Sequence, residues 1–88
     1  MGELQRLPNI GKELERQLYE VGITSPEELR RIGSRDAWLR IFAQDPSAGL
    51  AKLLALQGAI AGVNRNDLSE TTKTNLQTFC SQYKPKRR

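Results

Sequence analysis

The sequence predicts an all-α fold, a compact bundle of about five short helices. Three observations carry this expectation. Apolar residues recur at helical spacing along almost the whole chain, no run of β-branched or aromatic residues alternates long enough for a strand, and glycines and capping residues punctuate the sequence at short intervals. Eighty-eight residues are enough for one domain. Residues 1–83 are read as its helical body and residues 84–88 as a basic disordered tail.

Residues 2–6 are read as a short helical turn, interrupted at Leu7-Pro8 because proline lacks a donor and biases the preceding residue away from the helical region. A helix then starts near Ile10. Its apolar stripe is Ile10, Leu14, Leu18 and Val21, and Glu13, Glu15, Arg16 and Glu20 are assigned to the solvent side. Gly22 ends it, with Ile23 folding back in a Schellman-like stop. Ser25-Pro26-Glu27-Glu28 opens the next helix: Ser25 caps, Pro26 suits the first helical position and Glu28 completes a capping box. Leu29 and Ile32 are its buried positions, and Gly33 is its stop.

Ser34 is read as the cap of a third helix, whose apolar face is Trp38, Leu39, Ile41 and Phe42. Asp45-Pro46-Ser47 breaks the chain and caps a fourth helix, Ala48–Gly62, expected to be the longest and to lie at the centre of the bundle. One of its sides carries Leu50, Leu53, Leu54 and Ile60. The other carries Ala51, Ala55, Gly58, Ala59 and Gly62, a small stripe that would let a neighbouring helix approach closely. Residues 64–67 form a loop. A last helix runs from about Ser69 with Leu76, Phe79, Cys80 and Tyr83 on its buried face, until Pro85 stops it.

Composition excludes several chemistries. With no His there is no Ser-His-Asp or Cys-His triad and no histidine metal site, and a single Cys allows neither an intrachain disulfide nor a thiolate cluster. The sequence therefore predicts no catalytic residues, no metal and no cofactor. The most apolar stretch, residues 48–63, is interrupted by Lys52 and Gln57 and falls short of the roughly 20 residues that span a bilayer. No signal peptide is apparent at the amino terminus. A cytoplasmic protein with no membrane role is expected. Net charge is +4, yet Lys84, Lys86, Arg87 and Arg88 account for all of it, because ten basic residues face ten acidic ones over residues 1–83.

Two groups of residues are candidates for binding. The turn Leu7-Pro8-Asn9-Ile10-Gly11-Lys12 ends in Gly at a helix start, where unpaired backbone N–H groups and the helix dipole favour an anion. Asn9, Ile10, Gly11 and Lys12, assisted by Arg16, are thus a candidate nucleic-acid-binding set. Asn9 can take the positive φ that such a turn demands. The same turn also serves simply to join two helical segments; Glu13 and Glu15 oppose a phosphate, and only seven residues precede Pro8 where DNA-gripping hairpins have a full helix. The second group is Arg30, Arg31, Arg35 and Arg40, interleaved with Trp38, a candidate partner-binding set because arginine forks carboxylates and tryptophan anchors interfaces. Its alternative is a pair of solvated helix faces around a core Trp38. Oligomeric state is not legible.

Leu7 to Leu29 resembles the helix-hairpin-helix element of DNA repair and recombination proteins, which implies sequence-independent contact with the DNA backbone. Taken with Gly33, Ala37-Trp38-Leu39 and Leu56-Gln57-Gly58-Ala59-Ile60-Ala61-Gly62, the segment from Leu7 to Phe79 resembles the carboxy-terminal domain of the TfoX/Sxy competence regulators. The resemblance implies a helix-hairpin-helix-like (SAM-domain-like) helical bundle and a non-enzymatic role in DNA transformation and its transcriptional regulation. The partners it implies are proteins, such as the transcription machinery or a TfoX amino-terminal-type domain, with weak DNA binding as the alternative. Family regulators commonly carry an amino-terminal sheet domain, so a stand-alone homologue or an excised domain is expected.

Overall fold

A computed structural model describes residues 3–83. The tail, the Pro85 stop and the first residue of the 2–6 turn lie outside the described residues. A 3₁₀ turn, Glu3–Arg6, leads into α1 (Lys12–Glu20), α2 (Pro26–Ile32), α3 (Ser34–Gln44), α4 (Leu50–Ala61), a second 3₁₀ turn (Arg65–Asp67) and α5 (Glu70–Tyr83). Among the described residues there is no strand. The five-helix all-α prediction holds.

Local signals place most helix ends. Gly22 adopts φ +87° and Ile23 N–H donates to Leu18 O at 2.8 Å, the six-to-one bond of a Schellman stop, with Ile23 wholly buried. Ser25 Oγ accepts from Glu28 N–H at 3.1 Å. The return half of the expected capping box is displaced by one residue: Glu28 Oε1 accepts from the Thr24 N–H at 2.9 Å and the Thr24 hydroxyl at 3.1 Å rather than from Ser25. These two bonds hold the Glu28 carboxyl below its ordinary range.

Ser34 does not cap α3. It is the first helical residue, buried, and its hydroxyl donates to Gln57 Oε1 at 2.6 Å across to α4; Gly33, at φ +91°, stands in the cap position. Asp45-Pro46-Ser47 also does not cap α4. Asp45 Oδ1 accepts from Ser47 N–H at 3.1 Å, making a local turn, and α4 begins later at Leu50 behind Gly49 with no side-chain cap. Ala48, ahead of the helix, is buried in the core. At 14 residues α5, capped by Ser69 Oγ on Thr72 N–H, exceeds the 12 of α4.

Central placement of α4 is correct: it packs against α2, α3, α5 and the second 3₁₀ turn. Its core face is Leu53, Ala55, Leu56, Gly58 and Ala59. Where the small stripe reaches Gly58, it does not meet a helix. At Gly58 the close neighbours are the Asn9 side chain and the backbone of Val63 and Arg65, the chain doubling back after the left-handed Gly62. Trp38, Leu4, Leu18, Ile41 and Leu76 complete the interior with α1, α3 and α5. Tyr83, read from the sequence as a buried position, is 43 % exposed, although its ring still meets Trp38 edge-on at 6.2 Å.

Candidate functional site

The Leu7–Lys12 turn is built by backbone bonds: Leu7 N–H donates to Leu4 O at 3.0 Å and Glu15 N–H to Gly11 O at 3.0 Å. Asn9 has φ +71° and is the only non-glycine at positive φ among the described residues. Its side chain is committed inward. Nδ2 donates to Val63 O at 3.0 Å and Ala55 O at 3.3 Å, and Oδ1 accepts from Arg65 N–H at 3.1 Å. Ile10 is buried and its N–H donates to Leu7 O at 3.4 Å.

Gly11 and Lys12 are exposed at the start of α1, whose first turn has no side-chain cap. Arg16 bridges Glu13 and Glu20, each at 2.5 Å, and these carboxylates raise its pKa further. The tertiary fold adds two cations that the sequence reading did not place here: Lys52 and Arg65 line the same groove as Gly11 and Lys12. Lys52 is diverted to Gln17 Oε1 at 2.5 Å and lies 3.8 Å from Asp45. Lys12 and Arg65 carry no side-chain ion pair among the described residues.

The four arginines do not form a cluster around Trp38, which is wholly buried and donates its indole N–H to Gly49 O at 3.2 Å. Arg30 and Arg31 are exposed on α2. Arg40 donates to Val21 O at 3.2 Å, tying α3 to the end of α1. Arg35 lies 5.5 Å from the Phe79 ring centroid. Beneath it Trp38 stacks on Phe42 at 4.8 Å and meets Phe79 and Tyr83 edge-on at 6.1 and 6.2 Å. A connected aromatic layer thus runs from the core to the surface at Tyr83 with a guanidinium beside it. The helical spacing in α5 named Phe79 and Tyr83 but assigned both to the core.

Two buried polar residues on α1 escaped the sequence reading. Glu15, assigned to solvent, is 8 % exposed, and Gln17 is buried as well. The folding-back of the Glu3–Arg6 turn covers Glu15, a long-range event that helical periodicity does not encode. Among the described residues no group of three or more His, Cys, Asp or Glu could hold a metal, and Cys80 is buried.

The fold is a small five-helix bundle whose described surface carries a groove lined by Gly11, Lys12, Lys52 and Arg65 and an aromatic edge at Phe79 and Tyr83. The profile of the TfoX C-terminal domain matches residues 1–80, and the chain belongs to that family. It is 34 % identical over 83 residues to Protein Sxy of Escherichia coli K12, covering 94 % of this chain but 40 % of Sxy. Two crystal structures of Listeria monocytogenes proteins, described as uncharacterized and of unknown function, are alike in fold. The triclinic form gives a TM-score of 0.92 at 40 % identity, covering 97 % of each chain. The tetragonal form gives 0.89 at 42 % identity, covering 91 % of this chain and 98 % of the other.

Proposed function

We propose that the domain is a non-enzymatic regulatory module of the competence type that acts in the cytoplasm through protein contacts. The observation that carries this reading is the Arg35–Phe79–Tyr83 edge backed by Trp38. Tyrosine and arginine presented on a rigid aromatic base have the composition of an interface anchor. Arg30 and Arg31 on α2 and Arg40 on α3 add exposed positive charge elsewhere on the surface, which favours an acidic partner. The partner classes are the transcription machinery and an amino-terminal domain of the TfoX type. Titration calorimetry of the chain against E. coli RNA polymerase, and against the part of Sxy that the chain does not match, tests this. Binding to one of them, weakened tenfold or more by Arg35→Ala and by Tyr83→Ala, is the expected result. Absence of binding to both would overturn it.

One observation favours a second reading, sequence-independent contact with the DNA backbone: Arg65 joins Gly11 and Lys12 at the uncapped start of α1. With Asn9 and Ile10 serving the turn internally and Arg16 held by two carboxylates, Lys12 and Arg65 would carry the electrostatics. Affinity for duplex DNA should then fall steeply with salt and drop for Lys12→Glu and Arg65→Glu. Binding that disappears on removing residues 84–88 while both substitutions leave it unchanged would refute this site.

A further inference from the structure

Charge is distributed unevenly along the chain. Residues 71–88 hold five basic residues and no acidic one, whereas residues 1–70 hold nine basic and ten acidic. Glu70 stands at the start of α5, and from there to Tyr83 the helix carries no carboxylate. Lys84, Lys86, Arg87 and Arg88 follow Tyr83 directly, and five residues can reach no further than about 18 Å from it. The excess positive charge therefore stays near the end of α5 at which the aromatic layer surfaces.

That end is apolar as well as cationic. Tyr83 is exposed and Phe79 half-buried, their ring centroids 5.0 Å apart, and both meet the buried Trp38 edge-on. Arg35 is exposed, stands over the Phe79 ring and has no side-chain ion pair among the described residues. Asp36, the one acid of α3, is turned about 100° around that helix from Arg35. A guanidinium whose charge is unanswered forks a carboxylate, and the exposed ring beside it takes an apolar side chain.

We propose that this edge docks an acidic segment of a protein partner, one that seats an aromatic side chain against Tyr83 and a carboxylate on Arg35 and is drawn in by the charge of residues 84–88. Single-stranded nucleic acid would answer to the same charge. Strand binders, however, stack successive bases on several rings, and with Arg35 over Phe79 the edge offers Tyr83 alone. An acidic segment needs only one ring and one fork. The proposal rests on the protein-contact reading and adds to it the chemistry of the partner and the part played by residues 84–88.

The test is an NMR titration of the whole chain with acetyl-Glu-Asp-Phe-Asp-Glu-amide. Its controls are the uncharged acetyl-Gln-Asn-Phe-Asn-Gln-amide, the ringless acetyl-Glu-Asp-Ala-Asp-Glu-amide and an eight-nucleotide oligothymidylate. Saturable shifts are expected at Arg35, Phe79 and Tyr83, with each control binding about fivefold more weakly or worse. Arg35→Gln and Tyr83→Ala, both at exposed positions, should each weaken the acidic peptide about fivefold. Removing residues 84–88 should weaken it several-fold while the shifts at Phe79 and Tyr83 persist. Arg6→Gln, in a different groove beside Pro26 and Glu27, should leave it unchanged. Equal binding of either control peptide, tighter binding of the oligothymidylate, no saturable shift, shifts centred elsewhere, or indifference to both Arg35→Gln and Tyr83→Ala would each overturn the proposal. RNA polymerase and the Sxy segment are not used here. Their failure to bind while the acidic peptide binds would count against those partner classes alone, and their binding while the peptide fails would count against the acidic segment alone.

Discussion

Asn9 and Gly58 are packed so closely that a β-carbon at position 58 would lie 2.5 Å from Asn9 Nδ2 and 2.7 Å from Val63 O. The glycine is what lets the turn before α1 reach into α4, and the asparagine's three hydrogen bonds then fasten both to the chain beyond Gly62. Groove geometry at Gly11, Lys12 and Arg65 depends on this joint.

Gly58→Ala should therefore destabilise the domain. Helix propensity alone would favour alanine by about 1 kcal/mol, but overpacking against backbone costs about 1–3 kcal/mol or more, and here one of the obstructing atoms is a carbonyl oxygen that cannot rotate away. The expected net loss is about 1–2 kcal/mol in urea unfolding, with a Tm lower by several degrees. Gly62→Ala has open space around it but φ +79°, so its cost of about 1 kcal/mol should come from the left-handed backbone instead.

Replacing Asn9 separates its two roles. Asn9→Gly keeps the positive φ and removes the three bonds, whereas Asn9→Ala removes the bonds and adds backbone strain. A loss of about 2–3 kcal/mol for glycine and about 1 kcal/mol more for alanine is expected from denaturant midpoints. Equal stability of wild type and Asn9→Gly would show that the side chain contributes nothing to the joint.

Trp38→Phe should cost about 2–4 kcal/mol, since it leaves space in the interior and deprives Gly49 O of its donor. Being the sole tryptophan, Trp38 also reports on itself. The native chain should emit at the short wavelength of a buried indole and resist quenching by acrylamide, and exposed-type emission would contradict its position.

Acid should weaken the turn between α3 and α4. The Ser47 hydroxyl, the Gln17 amide and the Ser47 N–H bond the Asp45 carboxylate and hold its pKa below the ordinary value. A depressed folded-state pKa contributes stability that is complete above the unfolded carboxylate pKa and is lost as pH falls through the lower folded value. Asp45→Asn should consequently lower Tm at pH 7, with the gap to wild type closing as pH falls below the carboxylate range. A gap that is constant from pH 7 down to pH 2 would show that the charge plays no part.

Within single helices the sequence is a reliable guide. The stop at Gly22–Ile23 and the Ser25 cap involve groups five or fewer residues apart, and residue type alone decides them. Trp38 and the central α4 were legible from apolar spacing. Ser34 and Glu15 were not: a hydroxyl that could cap its own helix is taken instead by Gln57 on α4, and a carboxylate on the polar side of α1 is covered by an earlier turn through Gln5. Both outcomes depend on which elements meet.

By itself, then, the sequence determined the all-α class, the helix count, most helix stops and the positive φ of Asn9, because these follow from backbone sterics and contacts within about one turn. Only the tertiary structure decided what that turn is for. Asn9 finds its partners 46 to 56 positions away, and the packing that joins them brings Arg65 beside Lys12. It also buries Glu15 and leaves Tyr19 and Tyr83 exposed. Periodicity along one helix specifies which residues share a face, but burial also depends on what packs against that face, and that is set by contacts between residues distant in the chain.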